Sequence, residues 1–399
     1  MNKKIISLYV TGIGFSEIGK WVFLVAINLK VLAISNSPFS IAILYSLTPL
    51  SSLLTNIWSG RVIDRIDKKI ILMTINVLRS ILIIMVFFTD NIYLIYLFVF
   101  FVGVAGAFFG PTSNVFITNN VPQDFRKKFN SILSSVTTGA LMTGPALAGI
   151  IIAGYNIDFA IFITSLLFLV CSFFIFLIPN NESRKEIERV ASSKLAILLS
   201  DFRTVRGYFI ENKYLLKIIV LFNVSMVLIF SLDSQEATYI KNNLLATERD
   251  YGLLMSLAGI GSVVGSIVST YTPNSISIKH YLGIGSMLGS IGYILFYSSP
   301  NIIIAGISFV VLGFFLAYAS IGYMTFFQNN IPKEVMGRVG SVIAMIQGAF
   351  QIIITFIIGV FSTLISLKVT TVLFSLVALI IAIKLYSIIM NRSNKGVIF

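Results

Sequence analysis

The sequence is poor in charge and in the side chains that build metal and disulfide sites. Only 11% of its 399 residues are charged, and it contains one Cys and one His. A soluble domain has about 25% charged residues, so this composition excludes a soluble enzyme, a nucleic-acid-binding protein and a disordered protein. A single Cys and a single His exclude a disulfide framework, a cysteine-rich zinc site and an iron–sulfur cluster. We therefore expect no cofactor and no metal.

Apolar residues make up 57% of the chain, and its mean hydropathy is +0.94. A soluble fold cannot hide this excess, because its surface needs polar cover. A membrane-spanning helix needs about 20 apolar residues, so the length suits an all-α integral membrane protein with twelve spans. The predicted spans are 5–32, 37–59, 70–89, 92–118, 131–153, 159–179, 214–240, 252–272, 280–299, 301–327, 339–363 and 369–390.

Basic residues predict the orientation of these spans. Of the 29 Lys and Arg residues, 21 lie in alternate connections, starting with the segment before the first span. A net charge of +13 would indicate nucleic acid in a soluble protein, but here the charges fall in short loops, where they set membrane topology. The bias predicts a multi-pass protein of the cell membrane with both termini in the cytoplasm.

An internal repeat divides the chain. Residues 119–132 read NNVPQDFRKKFNSI, and residues 329–342 read NNIPKEVMGRVGSV, at an offset of 210. Asn and Pro are common in turns, but both segments follow the fourth span of a six-span half, which favours a duplicated fold. We predict an N-terminal half over 1–179, a cytoplasmic linker over 180–213 and a C-terminal half over 214–399.

The loop between spans two and three carries a family resemblance. Residues 59–72 read SGRVIDRIDKKIIL, which resembles the signature of the major facilitator superfamily at Gly60, Asp64, Arg65, Lys68 and Lys69. Most members have Gly where Asp67 stands, and the Asp form resembles the macrolide-efflux branch. The resemblance implies two parallel six-helix halves around a midplane site, with Asp64 as a conformational latch near the start of span eleven, about Val339. The alternative is a positive-inside anchor whose Lys68 and Lys69 meet lipid headgroups.

Span five resembles the Gly-Pro motif of antiporters in this superfamily. Residues 138–151 read TGALMTGPALAGII and match at Gly144, Pro145 and Gly149. Pro145 removes a helix hydrogen bond and should kink the span, so a common transmembrane kink is the alternative. The basic residue of the family's fourth span is missing, and Arg79 in span three is a candidate substitute.

Three acidic residues lie inside apolar spans, where a charge costs about 2.5–3.5 kcal/mol and usually faces the bundle interior or a cavity. Glu17 has Lys20 three residues on, so structural pairing and functional coupling both remain open for it. Asp233 and Glu236 are also three apart, without a basic residue within a turn. Two such close carboxylates do not both ionise easily, which predicts a proton-binding pair. The alternative is that span seven ends early and leaves both acids in a solvated loop.

The combined interpretation is a proton-coupled exporter of amphiphilic small molecules, whose partners are the substrate, protons and membrane lipids, with no nucleic acid. We expect a monomer and no catalytic residues. A siderophore or metabolite exporter fits the same features, and an importer, a transport-dead sensor and an integral membrane enzyme fit them less well. Motifs of metalloproteases, serine hydrolases and P-loop proteins are absent from the sequence, which argues against an enzyme.

The topology has a direct test. Single cysteines that replace Lys127, Lys333 and Arg392 should be protected from a membrane-impermeant thiol reagent in intact cells, because basic connections stay cytoplasmic. A cysteine at Glu248, in an opposite connection, should react. Labelling of the first three from outside intact cells would contradict the predicted orientation.

Overall fold

The structure is a computed structural model that describes residues 3–56, 58–179, 194–271 and 277–391. All regular structure in these residues is helical, which confirms the predicted class. The helices are α1 (Lys3–Ser35), α2 (Pro38–Asn56), α3 (Ser59–Arg65), α4 (Lys68–Phe87), α5 (Ile92–Asn120), α6 (Gln123–Gly154), α7 (Ile157–Phe176), α8 (Lys194–Glu211), α9 (Lys213–Leu232), α10 (Glu236–Asn242), α11 (Glu248–Tyr271), α12 (Ile278–Tyr297), α13 (Ile302–Asn330), α14 (Lys333–Leu364) and α15 (Leu367–Met390). A 3₁₀ turn, Asp233–Gln235, joins α9 to α10.

Eleven segments of the described residues are long and apolar enough to cross a membrane, when α9, the 3₁₀ turn and α10 are taken as one. The remaining predicted span, 280–299, corresponds to α12, which has 20 residues but is not among the eleven segments that are apolar enough. The short α3 and the linker helix α8 lie outside these spans. Helix forms in the predicted linker over Lys194–Glu211, whereas 180–193 lie outside the described residues.

The repeat recurs in the helices themselves. Helices α4 and α12 have 20 residues each, and α5 and α13 have 29 each, at the same offset of 210. The helix ends also agree in detail: the side-chain amide of Asn120 donates to the carbonyl of Phe116 at 2.9 Å, and that of Asn330 donates to Phe326 at 2.8 Å. The two halves therefore repeat one helical plan, as the sequence predicted.

The described residues group into two compact units. The first takes those within Met1–Asn36, Leu47–Ala191 and Glu248–Ser256, and the second takes those within Ser37–Ser46, Ser192–Thr247 and Leu257–Phe399. The start of α2 thus belongs to the second unit, and the start of α11 to the first. The division into 1–179, 180–213 and 214–399 stays a prediction.

In the first unit, α1 packs against α6 and α7, and α4 packs against α5 and α7. The core includes Tyr9, whose ring stacks on Phe116 at 5.1 Å and whose hydroxyl lies 2.6 Å from the Ser113 hydroxyl. This bond satisfies the one polar atom of a side chain that is otherwise buried among apolar neighbours.

A buried lysine ties the first unit together near the end of α1. Lys30 Nζ donates to Asp158 Oδ1 at 2.8 Å and to the Val86 carbonyl at 3.1 Å, and it lies 3.2 Å from Asp90 Oδ1. The three partners come from the start of α7, the end of α4 and the α4–α5 connection. A buried ammonium needs such partners because desolvation alone would be costly. Sequence reasoning did not identify this cluster, because in the sequence Lys30 is only a charge at a span end.

In the second unit, α12 packs against α13 and α15, and α9 packs against α14 and α15. Glycine lets α12 approach α13 closely, since a Cβ on Gly285 would lie 2.7 Å from the Ala319 nitrogen. The spacing Gly285-x-x-x-Gly289 is typical of such close packing between membrane-spanning helices. The unit therefore holds α12 close to α13 and in contact with α9, which ends just before the acidic pair.

Candidate functional site

Asp233 and Glu236 lie where the seventh predicted span is interrupted. Helix α9 ends at Leu232, Asp233 opens the 3₁₀ turn, and Glu236 begins α10. Glu236 is 4% exposed and Asp233 is partly buried. The alternative of a solvated loop is therefore wrong, because the chain after the break stays packed inside the second unit.

A tyrosine hydroxyl contacts Asp233 of this acidic pair, and a second tyrosine hydroxyl bonds the backbone carbonyl just before it. The Tyr293 hydroxyl of α12 donates to Asp233 Oδ1, and the Tyr297 hydroxyl, one turn further, donates to the Leu232 carbonyl at 2.5 Å. No Lys, Arg or His within the described ranges forms an ion pair with either carboxylate. A hydroxyl stabilises a carboxylate without cancelling its charge, so Asp233 and Glu236 still repel one another.

Sequence reasoning missed Tyr293. It lies 60 residues from Asp233 along the chain, in a helix that offered only its glycine spacing as a signal. Its contact depends on the packing of α12 beside α9, which no local motif encodes. The sequence shows that a tyrosine lies within this span, and its hydroxyl needs a hydrogen-bond partner there. It does not show which residue that partner is.

Glu17 and Lys20 form the predicted ion pair in the middle of α1. Lys20 Nζ lies 2.5 Å from Glu17 Oε2 and 5.5 Å from the centroid of the Trp21 ring, within cation–π range. The side chain of Glu17 is 16% exposed and that of Lys20 is 53% exposed. Because charges in mid-span avoid lipid and face water-filled space, Lys20 remains accessible to a ligand while Glu17 is held by its partner.

Arg79 reaches from α4 toward α5, where the family's basic residue is missing. A Cβ on Gly106 would collide with its guanidinium, so this glycine makes the room that Arg79 occupies. The guanidinium lies 5.3 Å from the Phe168 ring and 5.8 Å from the Phe109 ring, and it interacts electrostatically with Glu17. Its Nε is buried and has no hydrogen-bond partner among the described residues. The first unit therefore holds two cations around one carboxylate.

The loop motif forms α3 and the start of α4. Gly60 and Asp64 lie in α3, and Ile63 anchors that helix in the core of the first unit. Arg65 is exposed in the last turn of α3, where a cation is favourable. The side chain of Asp64 lies outside the part of the chain whose side chains the structure describes, so the latch stays a prediction.

Asp67, which departs from the family signature, has a local role. Its side chain accepts from the backbone N–H groups of Lys69 at 2.8 Å and Ile70 at 3.3 Å, and so caps α4. Lys69 Nζ donates to the carbonyls of Phe176 at 2.8 Å and Ile178 at 2.5 Å, at the end of α7. Lys69 thus joins two helix ends, in addition to any headgroup that it meets, and the neighbouring Lys68 is partly buried.

The Gly-Pro segment of α6 packs closely on both sides. A Cβ on Gly144 would lie 2.6 Å from Trp21 Cβ, and a Cβ on Gly149 would lie 3.3 Å from the Cα of Gly252 in α11. Pro145 lies inside α6 between them. Small residues therefore place α6 against α1 and against the start of α11, within the first unit.

The described residues contain no group of three His, Cys, Asp or Glu side chains that could hold a metal ion. The single cysteine, Cys171, is buried in α7.

Comparisons with known proteins agree with the helical architecture. The profile described as "Major Facilitator Superfamily" matches residues 10–355. An uncharacterized MFS-type transporter, YfiS of Bacillus subtilis (strain 168), is 23% identical over 349 residues, 85% of this chain and 82% of that protein. The staphyloferrin A transporter of Staphylococcus aureus (strain NCTC 8325 / PS 47) is 23% identical over 401 residues, 95% of this chain and 96% of that protein.

A putative bacilysin exporter, BacE of Bacillus amyloliquefaciens, is 22% identical over 287 residues, 71% of this chain and 70% of its own length. Among solved structures, the nucleoside transporter NupG superposes with a TM-score of 0.74 at 12% identity, over 98% of this chain and 100% of that one. At this identity the likeness shows the fold alone.

The contact between α6 and α11 yields a test. A Cβ on Gly252 would meet the Pro145 carbonyl and lie 2.9 Å from Gly149 Cα, and backbone atoms cannot move aside as a flexible side chain can. We expect Gly252→Ala to lower the stability of the purified protein by about 1–3 kcal/mol, read as a lower melting temperature in detergent. Gly139→Ala, on α6 with open space around it, is the matched control and should change little. Equal melting temperatures would contradict this packing.

Proposed function

Because the chain belongs to the Major Facilitator Superfamily, we propose that it is a proton-coupled exporter of amphiphilic small molecules that works by alternating access. It is a multi-pass membrane protein and a transporter rather than an enzyme. The observation that supports the proton coupling is the pair of Asp233 and Glu236: Asp233 accepts from the Tyr293 hydroxyl, Glu236 is buried, and no cation of the described residues forms an ion pair with either carboxylate.

The acidic pair suits a proton carrier for an electrostatic reason. Ionised carboxylates are costly in an apolar span, and a proton on one of them removes that cost and the repulsion between the two. Proton binding therefore favours the packed, dry environment around Glu236, and proton release favours access of water. Glu17 is less suited, because Lys20 Nζ lies 2.5 Å from its carboxylate and already compensates its charge.

Transport direction rests on other observations. The partial Gly-Pro motif at Gly144, Pro145 and Gly149 resembles that of antiporters, and the Asp form of the loop at Asp67 resembles the macrolide-efflux branch. A relative with 22% identity is described as a putative bacilysin exporter. We propose export from the cytoplasm across the cell membrane by a monomer with both termini cytoplasmic.

A second candidate is a siderophore or metabolite exporter. The staphyloferrin A transporter aligns with 95% of this chain. Lys20 is exposed in mid-span, and Arg79 has an unpartnered Nε, so the first unit could receive an anionic group. Two cations near the single carboxylate of Glu17 favour anionic or zwitterionic amphiphiles over purely cationic ones.

The test uses inside-out vesicles with labelled amphiphiles of both charges, with and without a pH gradient. For Asp233→Asn, Glu236→Gln and the double variant, we expect gradient-driven accumulation to fall at least tenfold while gradient-independent counterflow remains. The reason is that an amide keeps the shape of the site but cannot exchange a proton. Tyr293→Phe should shift the pH dependence of transport, because it removes the hydroxyl that donates to Asp233.

Glu334→Gln, which removes an exposed acid at the start of α14, is the matched control and should transport as wild type does. If the double variant still concentrates substrate as wild type does, the pair does not couple protons, and Glu17 becomes the next candidate. Accumulation in the opposite vesicle orientation would identify an importer, and no transport of any compound by wild type would favour a sensor.

A further inference from the structure

The second unit contains an open apolar groove that the transport residues do not use. It has a volume of about 870 Å³ and lies between α8, α9 and α14. Its walls are apolar along nearly the whole length, with Val224 and Ile346 exposed on facing helices. The polar groups among its described lining are few, and the side-chain amide of Asn223 is already bonded to the Ile219 carbonyl and the Tyr323 hydroxyl.

The groove has the length of one membrane leaflet. Along α9 its apolar lining extends from Leu216, the first residue after Lys213 that lines it, to Leu228, about 18 Å at ~1.5 Å per residue. The hydrocarbon core of a bilayer is about 30 Å thick, so one leaflet contributes about 15 Å. A straight apolar chain that begins at the interface and reaches the midplane would fill this length.

Two basic side chains, Arg206 and Lys213, lie at one end of the groove. Lys213 is the first residue of α9, where that span begins, and Arg206 lies on the preceding helix α8. Both side chains are exposed, and neither forms an ion pair with any residue whose side chain the structure describes. An apolar groove that ends in two available cations at the membrane interface is complementary to an amphiphile with an anionic head.

We infer that this groove binds an anionic phospholipid of the surrounding bilayer, with an acyl chain between α9 and α14 and the phosphate at Arg206 and Lys213. A polar transported compound fits this groove less well. Binding sites for polar compounds hold convergent polar groups that fix the ligand's orientation, and the described lining of this groove has few. The inference is independent of proton coupling, since it involves neither Asp233 nor Glu236.

The headgroup is tested with purified full-length protein in detergent. Phosphatidylglycerol and phosphatidylcholine with the same acyl chains are titrated separately, and bound lipid is counted by native mass spectrometry. The double variant Arg206→Gln/Lys213→Gln should bind phosphatidylglycerol about 30-fold more weakly, from the usual contribution of two interfacial cations, and bind phosphatidylcholine as wild type does. Arg203→Gln removes an exposed charge from the same helix outside the groove and should change neither affinity.

The acyl chain is tested by filling the groove. Val224→Trp and Ile346→Trp should each reduce the binding of both lipids, whereas Leu373→Trp, at an exposed position of α15 outside the groove, should reduce neither. Equal affinity of wild type for the two lipids, or equal losses in Arg203→Gln and the double variant, would overturn the anionic site. Displacement of bound phosphatidylglycerol by ethidium, a cationic amphiphile, would assign the groove to transported compounds and overturn the proposal as well.

Discussion

A charged side chain in the middle of an apolar helix costs about 2.5–3.5 kcal/mol, and the two units meet this cost in different ways. In the first unit, Glu17 lies against Lys20 and near Arg79, so opposite charges compensate one another. In the second unit, Asp233 accepts from the Tyr293 hydroxyl, and its nearest acidic neighbour along the chain is Glu236. In the first arrangement opposite charges lie together, whereas in the second our proposal is that a bound proton compensates the charge of the pair.

This difference is set on a scaffold that is otherwise repeated. Helices α4 and α12 begin 210 positions apart, and so do α5 and α13. The charges are not repeated: Arg79 corresponds to Gly289, and Asp233 corresponds to Phe23. The duplicated helices supply equivalent positions, and the side chains at those positions place two cations near Glu17 in the first unit and the acidic pair in the second unit. The proposed proton coupling at the acidic pair is therefore compatible with a proposed anion site near Lys20 and Arg79.

Periodicity and composition predicted the helical class, most span positions and the repeat, because each depends on residues close together in the sequence. The Glu17–Lys20 pair was predictable for the same reason, since both lie on one helix face. Contacts between helices were not predictable: Lys30 with Asp158, Arg79 against Gly106, and Tyr293 with Asp233 each join elements that are distant in the chain. In the sequence, Asp67 was only a departure from the family signature. The structure gives a physical reason for it, because its side chain caps α4.

The central claim is that the pair of Asp233 and Glu236 holds a proton that leaves when the protein changes state. Infrared spectroscopy of the purified protein in lipid measures this directly, through the carbonyl stretch of a protonated carboxylic acid at neutral pH. The account predicts a band that disappears reversibly as the pH is raised and is absent from the Asp233→Asn/Glu236→Gln variant but present in Glu17→Gln. A band that persists in the double variant and is lost in Glu17→Gln would contradict the account and would assign the proton to Glu17 in the first unit.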